Sequence, residues 1–379
     1  MKKMMALFLT AAIAMNGIQV MATDKNGANG ISSSVSLATW SDAYESLEEI
    51  MTLADVCTVG KVIKQTVEQR ANLYFTHSYV ETEDGSLYDV LQTGAIIGDR
   101  EENIPYDLSL LELGNEYFLC LNQTEYSEIY GQYYLIAGGN QGYGLYEEGQ
   151  SMVYSIDRND RSIFSSFELE NIGASVLSYT AVSSLTICDD IDMYSDYGKN
   201  PDAYIWNIWD NYYPKYYVTG DNNVTATMKS YLKNGLGAWN NKYSGLLVKE
   251  GTSTSSNVSV YMGYIGDTGF AGFTQCNSDG KTVRSIDGTY YNAISNVGIT
   301  LNGSINTTTS NNFWKAIACH EMGHALGLLH IGTSEFSSSG LETKAIMNQD
   351  YQVFYGQWNL TTPTNADVTK LYQKYHSCE

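Results

Sequence analysis

Basic residues and prolines are scarce in this chain of 379 residues. Its 21 lysines and arginines stand against 42 aspartates and glutamates, for a net charge of −21. Proteins that bind nucleic acids need a basic surface, so this balance argues against DNA or RNA as a partner. The 4 prolines and 31 tyrosines suit a polar protein rich in β-structure, although composition alone does not decide the fold.

Long apolar runs are missing after the first 22 residues. Lys2 and Lys3 precede a largely apolar stretch over 4–15, and Ala22 ends a small-residue cleavage site. This stretch is shorter than the roughly 20 apolar residues that a membrane-spanning helix needs. We therefore predict a signal peptide over residues 1–22, cleaved near Ala22, and a secreted protein with no membrane span.

Motifs for several other kinds of metal or redox site are also absent. No two cysteines have C-x-x-C spacing, which argues against a metal site or a redox pair built from cysteines. Export permits disulfides, but their connectivity cannot be read from the sequence. An acidic surface could bind Ca²⁺, which is therefore a further candidate cofactor. No D-x-D-x-D-G loop occurs, however, so we interpret this surface as solvated. The cysteines are at positions 57, 120, 188, 276, 319 and 378.

Charge is distributed unevenly along the chain. Residues 23–190 hold 27 acidic and 7 basic residues, for a net charge of −20, whereas residues 191–379 hold 15 and 12, for a net charge of −3. Such an asymmetry predicts two separately built units. We place an acidic β-rich domain at 23–150, a linker or pro-segment at 151–190 and a second domain at 191–379.

The segment from His320 to His330 reads HEMGHALGLLH and fits the pattern H-E-x-x-H-x-x-G-x-x-H. We predict a helix over 312–326, because N-cap candidates precede it and no proline interrupts it. His320 and His324 then lie one turn apart on one face, with about 6 Å between their Cβ atoms. Two imidazoles at this spacing can bind one Zn²⁺ at about 2.0–2.1 Å each.

Gly327 and His330 complete the predicted zinc site. A glycine just after the last helical turn can take a positive φ and reverse the chain, which returns His330 as the third ligand. Three protein ligands leave a fourth position for water, as in catalytic zinc sites. Zinc lowers the pKa of that water to about 7. Glu321 is then the predicted general base and acid, and Met347 the apolar floor beneath the metal.

A helix whose histidines are merely polar surface is the alternative interpretation. Five fixed positions and a downstream methionine make it a poor one, and three of only 5 histidines in the chain fall inside the motif. The intact Glu321 argues against an inactive pseudo-enzyme.

The motif followed by Met347 resembles the signature of the metzincin zinc proteases, and residues 191–379 resemble their matrixin branch. The resemblance implies an α+β domain with a mixed twisted sheet, a zinc-binding helix and peptide-bond hydrolysis. Similar segments are a helix at 224–242, strands at 259–264 and 297–301, an edge strand at 269–276 on which substrate aligns, and a closing helix that begins near 363–368.

Several departures from matrixins leave the subfamily open. Ile331 follows the third histidine, where matrixins usually carry serine, and the cysteine-switch peptide P-R-C-G-x-P-D is absent. Only His77 and His376 lie outside the motif, so the histidine-rich structural zinc site is missing. Gln349 stands where astacin-like relatives have a tyrosine ligand.

The N-terminal region carries short strand-like segments separated by turns rich in glycine and asparagine. This succession, after a helical pattern at 41–53, predicts a small antiparallel β-barrel. The order ADVCTVGKV, LYDVLQTG and LELGNEYFLCL resembles the netrin-like, OB-type barrels of tissue inhibitors of metalloproteases. The predicted strands are at 56–62, 73–75, 88–91, 117–121 and 133–136.

Two roles fit this N-terminal region: a pro-domain that contacts and blocks the zinc cleft, or a binding module that locates the enzyme. In the segment 151–190, a thiolate from Cys188 or a carboxylate from Asp189 or Asp190 could fill the open zinc position. A solvated acidic linker, with Cys188 in a disulfide, is the interpretation that we favour for this segment.

These features predict a secreted zinc metalloendopeptidase whose peptide or protein substrate binds extended along the strand at 269–276. The alternative from another class is a catalytically silent surface or partner-binding protein built on a protease scaffold. A processing protease with one cognate substrate is a third hypothesis. Removing residues 23–190 separates the first two, because an enzyme keeps its activity whereas an adhesin loses its function.

Overall fold

The computed structural model describes part of the chain. The predicted signal peptide and the Cys188 segment lie outside the described residues. Within the described residues, no helix is long and apolar enough to cross a membrane. The described residues are 33–40, 44, 46–105, 108–139, 141–147, 152–154, 166–170, 178–181, 204–243, 246–284, 290–305, 310–331, 344–348 and 350–376.

The described chain mixes helices and strands in an α+β arrangement. The strands are β1 (Ser33–Trp40), β2 (Val56–Arg70), β3 (Leu73–Thr82), β4 (Leu87–Thr93), β5 (Ala95–Ile97), β6 (Arg100–Glu102), β7 (Glu116–Gln123), β8 (Tyr134–Ile136), β9 (Tyr143–Glu147), β10 (Met152–Tyr154), β11 (Ser166–Glu170), β12 (Ser178–Ala181), β13 (Tyr204–Ile205), β14 (Lys215–Gly220), β15 (Lys249–Glu250), β16 (Val258–Gly263), β17 (Phe270–Arg284) and β18 (Tyr290–Asn302). The helices are α1 (Leu47–Leu53), α2 (Ala226–Leu236), α3 (Asn311–Ala325) and α4 (Asn365–His376), with 3-10 turns at Ile208–Asp210 and Gly237–Trp239 and a π-helical turn at Gln352–Gln357.

Five strands of the N-terminal region close into a small barrel. The ring runs β2-β3-β4-β8-β7, and β7 closes it by pairing with both β8 and β2. This confirms the predicted barrel, with one correction: β4 and β8 run parallel, with Val90 opposite Tyr134, while the other pairs are antiparallel. The barrel encloses buried aliphatic side chains such as Val62, Val80 and Leu119.

Strands from the segment at 151–190 continue the barrel sheet. β10 pairs with β9, β11 with β10 and β12 with β11, all antiparallel, so they extend the sheet outward from β7. The segment that charge alone marks as a linker or pro-segment therefore carries strands where the structure describes it.

The C-terminal region and β1 form a second, mixed sheet in the order β1-β17-β18-β16-β14-β15, with β13 also paired to β18. The central strands β14, β16 and β18 are parallel, whereas β17 is antiparallel to β18. Helices α2 and α3 pack together beside this sheet, and their apolar faces share one core with it, including Leu232, Ile299 and Ile317. The mixed sheet and its accompanying helix agree with the prediction for this region.

The strand predicted to lie at the sheet edge is covered. β1 pairs antiparallel along β17, from Ser33 opposite Ser278 to Trp40 opposite Phe270. The expectation of a free edge at 269–276 is therefore wrong for the chain in this conformation. Nothing in the local pattern of residues 33–40 indicates which strand they pair with, because the partner lies more than 200 residues away.

The barrel and the mixed sheet meet across a shared core. Phe75 of the barrel and Phe270 of β17 stack with parallel rings. Arg70 is 2% exposed, and its guanidinium donates to the Tyr133 hydroxyl at 3.0 Å and to the Ile265 carbonyl at 3.3 Å. A buried arginine at this junction ties the two regions together through its fixed fork of donors.

Candidate metal centre

Helix α3 carries the site, and it begins and ends close to the predicted bounds. Ser310 occupies the N-cap position, and Leu326 the C-cap. The indole N–H of Trp239 donates to the Cys319 carbonyl and that of Trp206 to the Ala325 carbonyl, each at 2.7 Å. Both tryptophans are fully buried, so the helix is held in place at its middle and at its C-terminal end.

The three predicted ligands converge. The Nε2 atoms of His320 and His324 are 2.9 Å apart, and those of His324 and His330 are 3.2 Å apart. One ligand atom from each histidine lies within 4.8 Å of the other two. Tetrahedral zinc with bonds of about 2.0–2.1 Å separates neighbouring nitrogens by about 3.3 Å, so this set is close to the size that zinc requires.

The other ring nitrogens fix which form of each imidazole is present. His320 Nδ1 donates to the Ile346 carbonyl and His324 Nδ1 to the Leu328 carbonyl, both at 2.7 Å. In the neutral ring, a proton on Nδ1 leaves Nε2 with a bare lone pair. With both rings in this form, two lone pairs face each other at 2.9 Å, an arrangement that a cation stabilises. The donor set fits a zinc-type metal.

Burial favours the neutral imidazole that a metal needs. His320 and His324 are 0% exposed and His330 is 3% exposed. Burial lowers the pKa of His320 to about 4, although its hydrogen bond to the Ile346 carbonyl acts in the opposite direction. At neutral pH the ring is therefore unprotonated and able to coordinate a metal.

Gly327 reverses the chain as predicted. Its φ is +83°, a conformation that glycine takes without strain. A Cβ at this position would lie 2.2 Å from the Tyr204 carbonyl oxygen, so the close approach of backbone also excludes other residues. The reversal lets His330 face His324 from outside the helix.

Met347 lies in a buried turn that packs against α3. A Cβ on Gly323 would lie 2.2 Å from the Met347 sulfur, so the helix glycine is what admits the methionine. The Ile331 amide donates to the Met347 carbonyl at 2.8 Å. The methionine turn therefore contacts both helix α3 and Ile331, the residue after the third histidine.

Asp367 of α4 holds this methionine turn, and the sequence analysis does not identify it as a site residue. Its carboxylate accepts from the amides of Ile346, Met347 and Thr364 at 2.9, 3.1 and 2.7 Å. Because the Ile346 carbonyl accepts the hydrogen bond that orients His320, Asp367 supports a predicted metal ligand through the turn. An acidic residue in the first turn of the closing helix is the signal that could have indicated it.

Glu321 is fully buried, and its carboxylate lies against β17. The Thr274 hydroxyl donates to Oε2 at 2.6 Å, and a Cβ on Gly272 would lie 2.1 Å from Oε1. Neither Gly272 nor Thr274 stands out in the sequence, because their role depends on how β17 packs against α3. Together they leave Glu321 room and one fixed hydrogen-bond donor.

The buried cysteines near the helix are thiols rather than ligands. Cys276 is 3.5 Å from the His324 carbonyl oxygen, and burial raises its pKa to about 12. Burial also raises the pKa of Cys319 well above its usual range. A metal-binding cysteine is a thiolate, so neither side chain is suited to join the histidines.

Comparisons with known proteins add little. No protein-family model matches the chain, and no curated protein is similar to it. Two solved structures titled "Structure of myroilysin" and "Crystal structure of myroilysin" share 15% and 14% identity with it, at TM-scores of 0.18 and 0.26. They match 31% and 46% of this chain, and 49% and 85% of theirs. Likeness this slight carries no argument about function.

Proposed function

We propose that this chain is a secreted, zinc-dependent metalloendopeptidase of the metzincin type. The observation that carries the proposal is the convergence of three histidine Nε2 atoms whose Nδ1 partners, for His320 and His324, are backbone carbonyls. The H-E-x-x-H-x-x-G-x-x-H pattern and the buried Met347 turn support it. Secretion rests on the predicted signal peptide at 1–22.

His320, His324 and His330 would hold the metal, which would supply a Lewis acid and a bound water of lowered pKa. Glu321 takes the proton from the attacking water and passes it to the leaving amine. Thr274 keeps the Glu321 carboxylate in one orientation, so that it does not need to reorganise during the reaction. No covalent intermediate with the protein forms.

Peptide or protein substrates would bind extended, with backbone hydrogen bonds to β17. Strand addition of this kind gives affinity through the main chain and leaves selectivity to alternate side chains. β17 suits the task because its Thr274 touches Glu321 and its Cys276 touches the backbone of His324. A peptide bound along it would therefore pass next to the base and the metal ligands.

The test measures zinc content and peptide cleavage for the full chain, Glu321→Gln and His324→Ala, before and after limited proteolysis. We expect about one zinc per chain in the wild type and in Glu321→Gln, with cleavage only in the wild type. His324→Ala should lose both.

Two other outcomes would count against the proposal. A wild-type protein that binds no zinc would overturn it. Zinc without cleavage, even after proteolysis, would instead favour the partner-binding scaffold.

A further inference from the structure

We propose that β1 is a pseudosubstrate strand, which occupies the substrate position on β17 and keeps the peptidase latent. This inference rests on the proposed function and adds its regulation and one element of its specificity. It comes from the pairing of β1 with β17, which leaves the substrate-binding strand with no free edge.

One face of β17 is turned toward helix α3, which carries Glu321. Thr274 donates to the carboxylate of Glu321, and Cys276 contacts the His324 carbonyl. The alternate residue Phe273 points the other way, into the core shared with the barrel. Side chains on a strand alternate between faces, so β17 presents every second residue to the site.

Two apolar side chains of β1 lie on the same face of the sheet as Thr274 and Cys276. Leu37 lies opposite Thr274, and Val35 lies opposite Cys276. Residues directly opposite in an antiparallel pair share a face of the sheet, so both point toward the catalytic helix. Val35 packs against the core of the C-terminal region, and Leu37 is 3% exposed.

A peptide substrate and β1 compete for the same hydrogen bonds. β17 uses one side of its backbone to pair with β18 and the other to pair with β1. A substrate that adds a strand to β17 needs this second side. The two cannot be bound together, so catalysis requires that β1 leaves.

The barrel holds β1 in place from the opposite face. Ala38 and Trp40 are buried with Leu73 and Phe75 of the barrel. The Trp40 ring lies so close to Gly139, in the turn before β9, that a Cβ there would be 2.5 Å from the ring. The acidic barrel thus holds β1 against β17 in the latent form. Of the two roles considered for the N-terminal region, this favours the pro-domain over a separate binding module.

The strand also indicates what the site accepts. Leu37 lies opposite Thr274, the residue that contacts Glu321, so an aliphatic side chain fits at this position of the strand. The inferred substrate is an extended peptide with a leucine-like residue at this position.

The first experiment locks the strand. In Val35→Cys the new thiol faces native Cys276, and cross-strand partners have the Cα separation that a disulfide needs. We expect the oxidised variant, with the bridge verified by mass spectrometry, to cleave peptides at least tenfold more slowly than after reduction. Val35→Ser is the matched control, because it cannot form this bridge and therefore shows any effect of oxidising the native cysteines alone.

The second experiment releases the strand. Ala38→Asp places a charge in the buried core and should detach β1, which hydrogen exchange at the β17 amides would report without any need for catalysis. Activity should rise at least tenfold above wild type. The synthetic peptide SSVSLATW should inhibit the released enzyme competitively, and its Leu37→Asp version should not.

The outcomes separate this inference from the proposed function. Equal, non-zero rates for bridged and reduced Val35→Cys would overturn the pseudosubstrate strand and leave the peptidase intact. No cleavage by any form, including zinc-loaded Ala38→Asp with exchanging β17 amides, would instead count against the peptidase.

Discussion

The half-buried histidine of the barrel and the buried histidines beside the mixed sheet have opposite kinds of partner. In the barrel, His77 lies between two carboxylates, with Nδ1 2.8 Å from Asp89 and Nε2 2.9 Å from Glu68. Beside the mixed sheet, His320 and His324 have carbonyls on one ring nitrogen and each other on the second. The first arrangement pairs a histidine with carboxylates of the protein, whereas the second brings together ring nitrogens that could hold a cation.

The largest expected difference between the two regions concerns the oxidation of their cysteines. Cys57 and Cys120 are directly opposite on β2 and β7, with their sulfurs 2.7 Å apart, while Cys276 and Cys319 are buried thiols of the C-terminal region. We expect the barrel pair to oxidise to a disulfide when the protein is in an oxidising medium. A loop of 63 residues predicts about 4 kcal/mol of stabilisation in the chain-entropy model.

Denaturant unfolding of the oxidised wild type and of the Cys57→Ala, Cys120→Ala double variant measures this difference. Alkylation of both thiols in the unreduced, unfolded protein would show that the pair does not form. Cys319→Ala serves as the control, because any change that it causes in the free energy of unfolding should be the same under oxidising and reducing conditions.

A second prediction concerns the support beneath the metal. Asp367→Ala leaves the buried amides of Ile346, Met347 and Thr364 without their acceptor, which should cost about 3 kcal/mol in the free energy of unfolding. Zinc affinity should fall as well, because Ile346 no longer holds His320 in position. Calorimetric zinc titration tests this, and an unchanged affinity in a destabilised protein would reduce Asp367 to a purely structural role.

Thr274 offers a smaller change that affects only the reaction. Thr274→Val removes the hydroxyl that donates to Glu321, and we expect kcat to fall about tenfold, equivalent to about 1.4 kcal/mol, with little change in KM. Thr274→Ser keeps the hydroxyl and should keep most of the rate. A released enzyme in which the valine and serine variants have the same kcat and the same pH profile would contradict this role.

The smallest expected effect is a difference in the pH dependence of the two regions. Burial alone would lower the pKa of His77, but hydrogen bonds to Asp89 and Glu68 raise it above 6.5. The stability that protonated His77 gives is therefore complete below pH 6.5 and is lost as pH rises through the raised pKa. His320, whose pKa is lowered to about 4 by burial, contributes above pH 6.5 and loses that contribution as pH falls toward 4.

Urea unfolding of the metal-free protein at pH 6 and pH 8.5, with His77→Gln as the comparison, measures the barrel's share. The wild type should lose more stability than the variant on going to the higher pH. Equal losses would mean that the ion pairs of His77 contribute nothing to folding.

The sequence predicts those parts of the molecule that local pattern controls. Helical spacing places His320 and His324 together, and the need for a positive φ at Gly327 brings in His330. Alternation and turns predict the barrel strands. The parts that it misses depend on long-range packing: the pairing of β1 with β17, the hydrogen bond from Thr274 to Glu321, and the support from Asp367. The periodicity within those segments does not indicate which distant residues they contact.

The order of synthesis gives the pairing of β1 with β17 a further consequence. β1 is made roughly 230 residues before Phe270, which at about 5–20 residues per second corresponds to roughly ten to fifty seconds of translation. β1 and the strands of the barrel are therefore synthesised before helix α3. If β1 is the pseudosubstrate strand proposed above, a newly made molecule carries the blocking strand before the three histidines have been made, so no unblocked form would arise during synthesis.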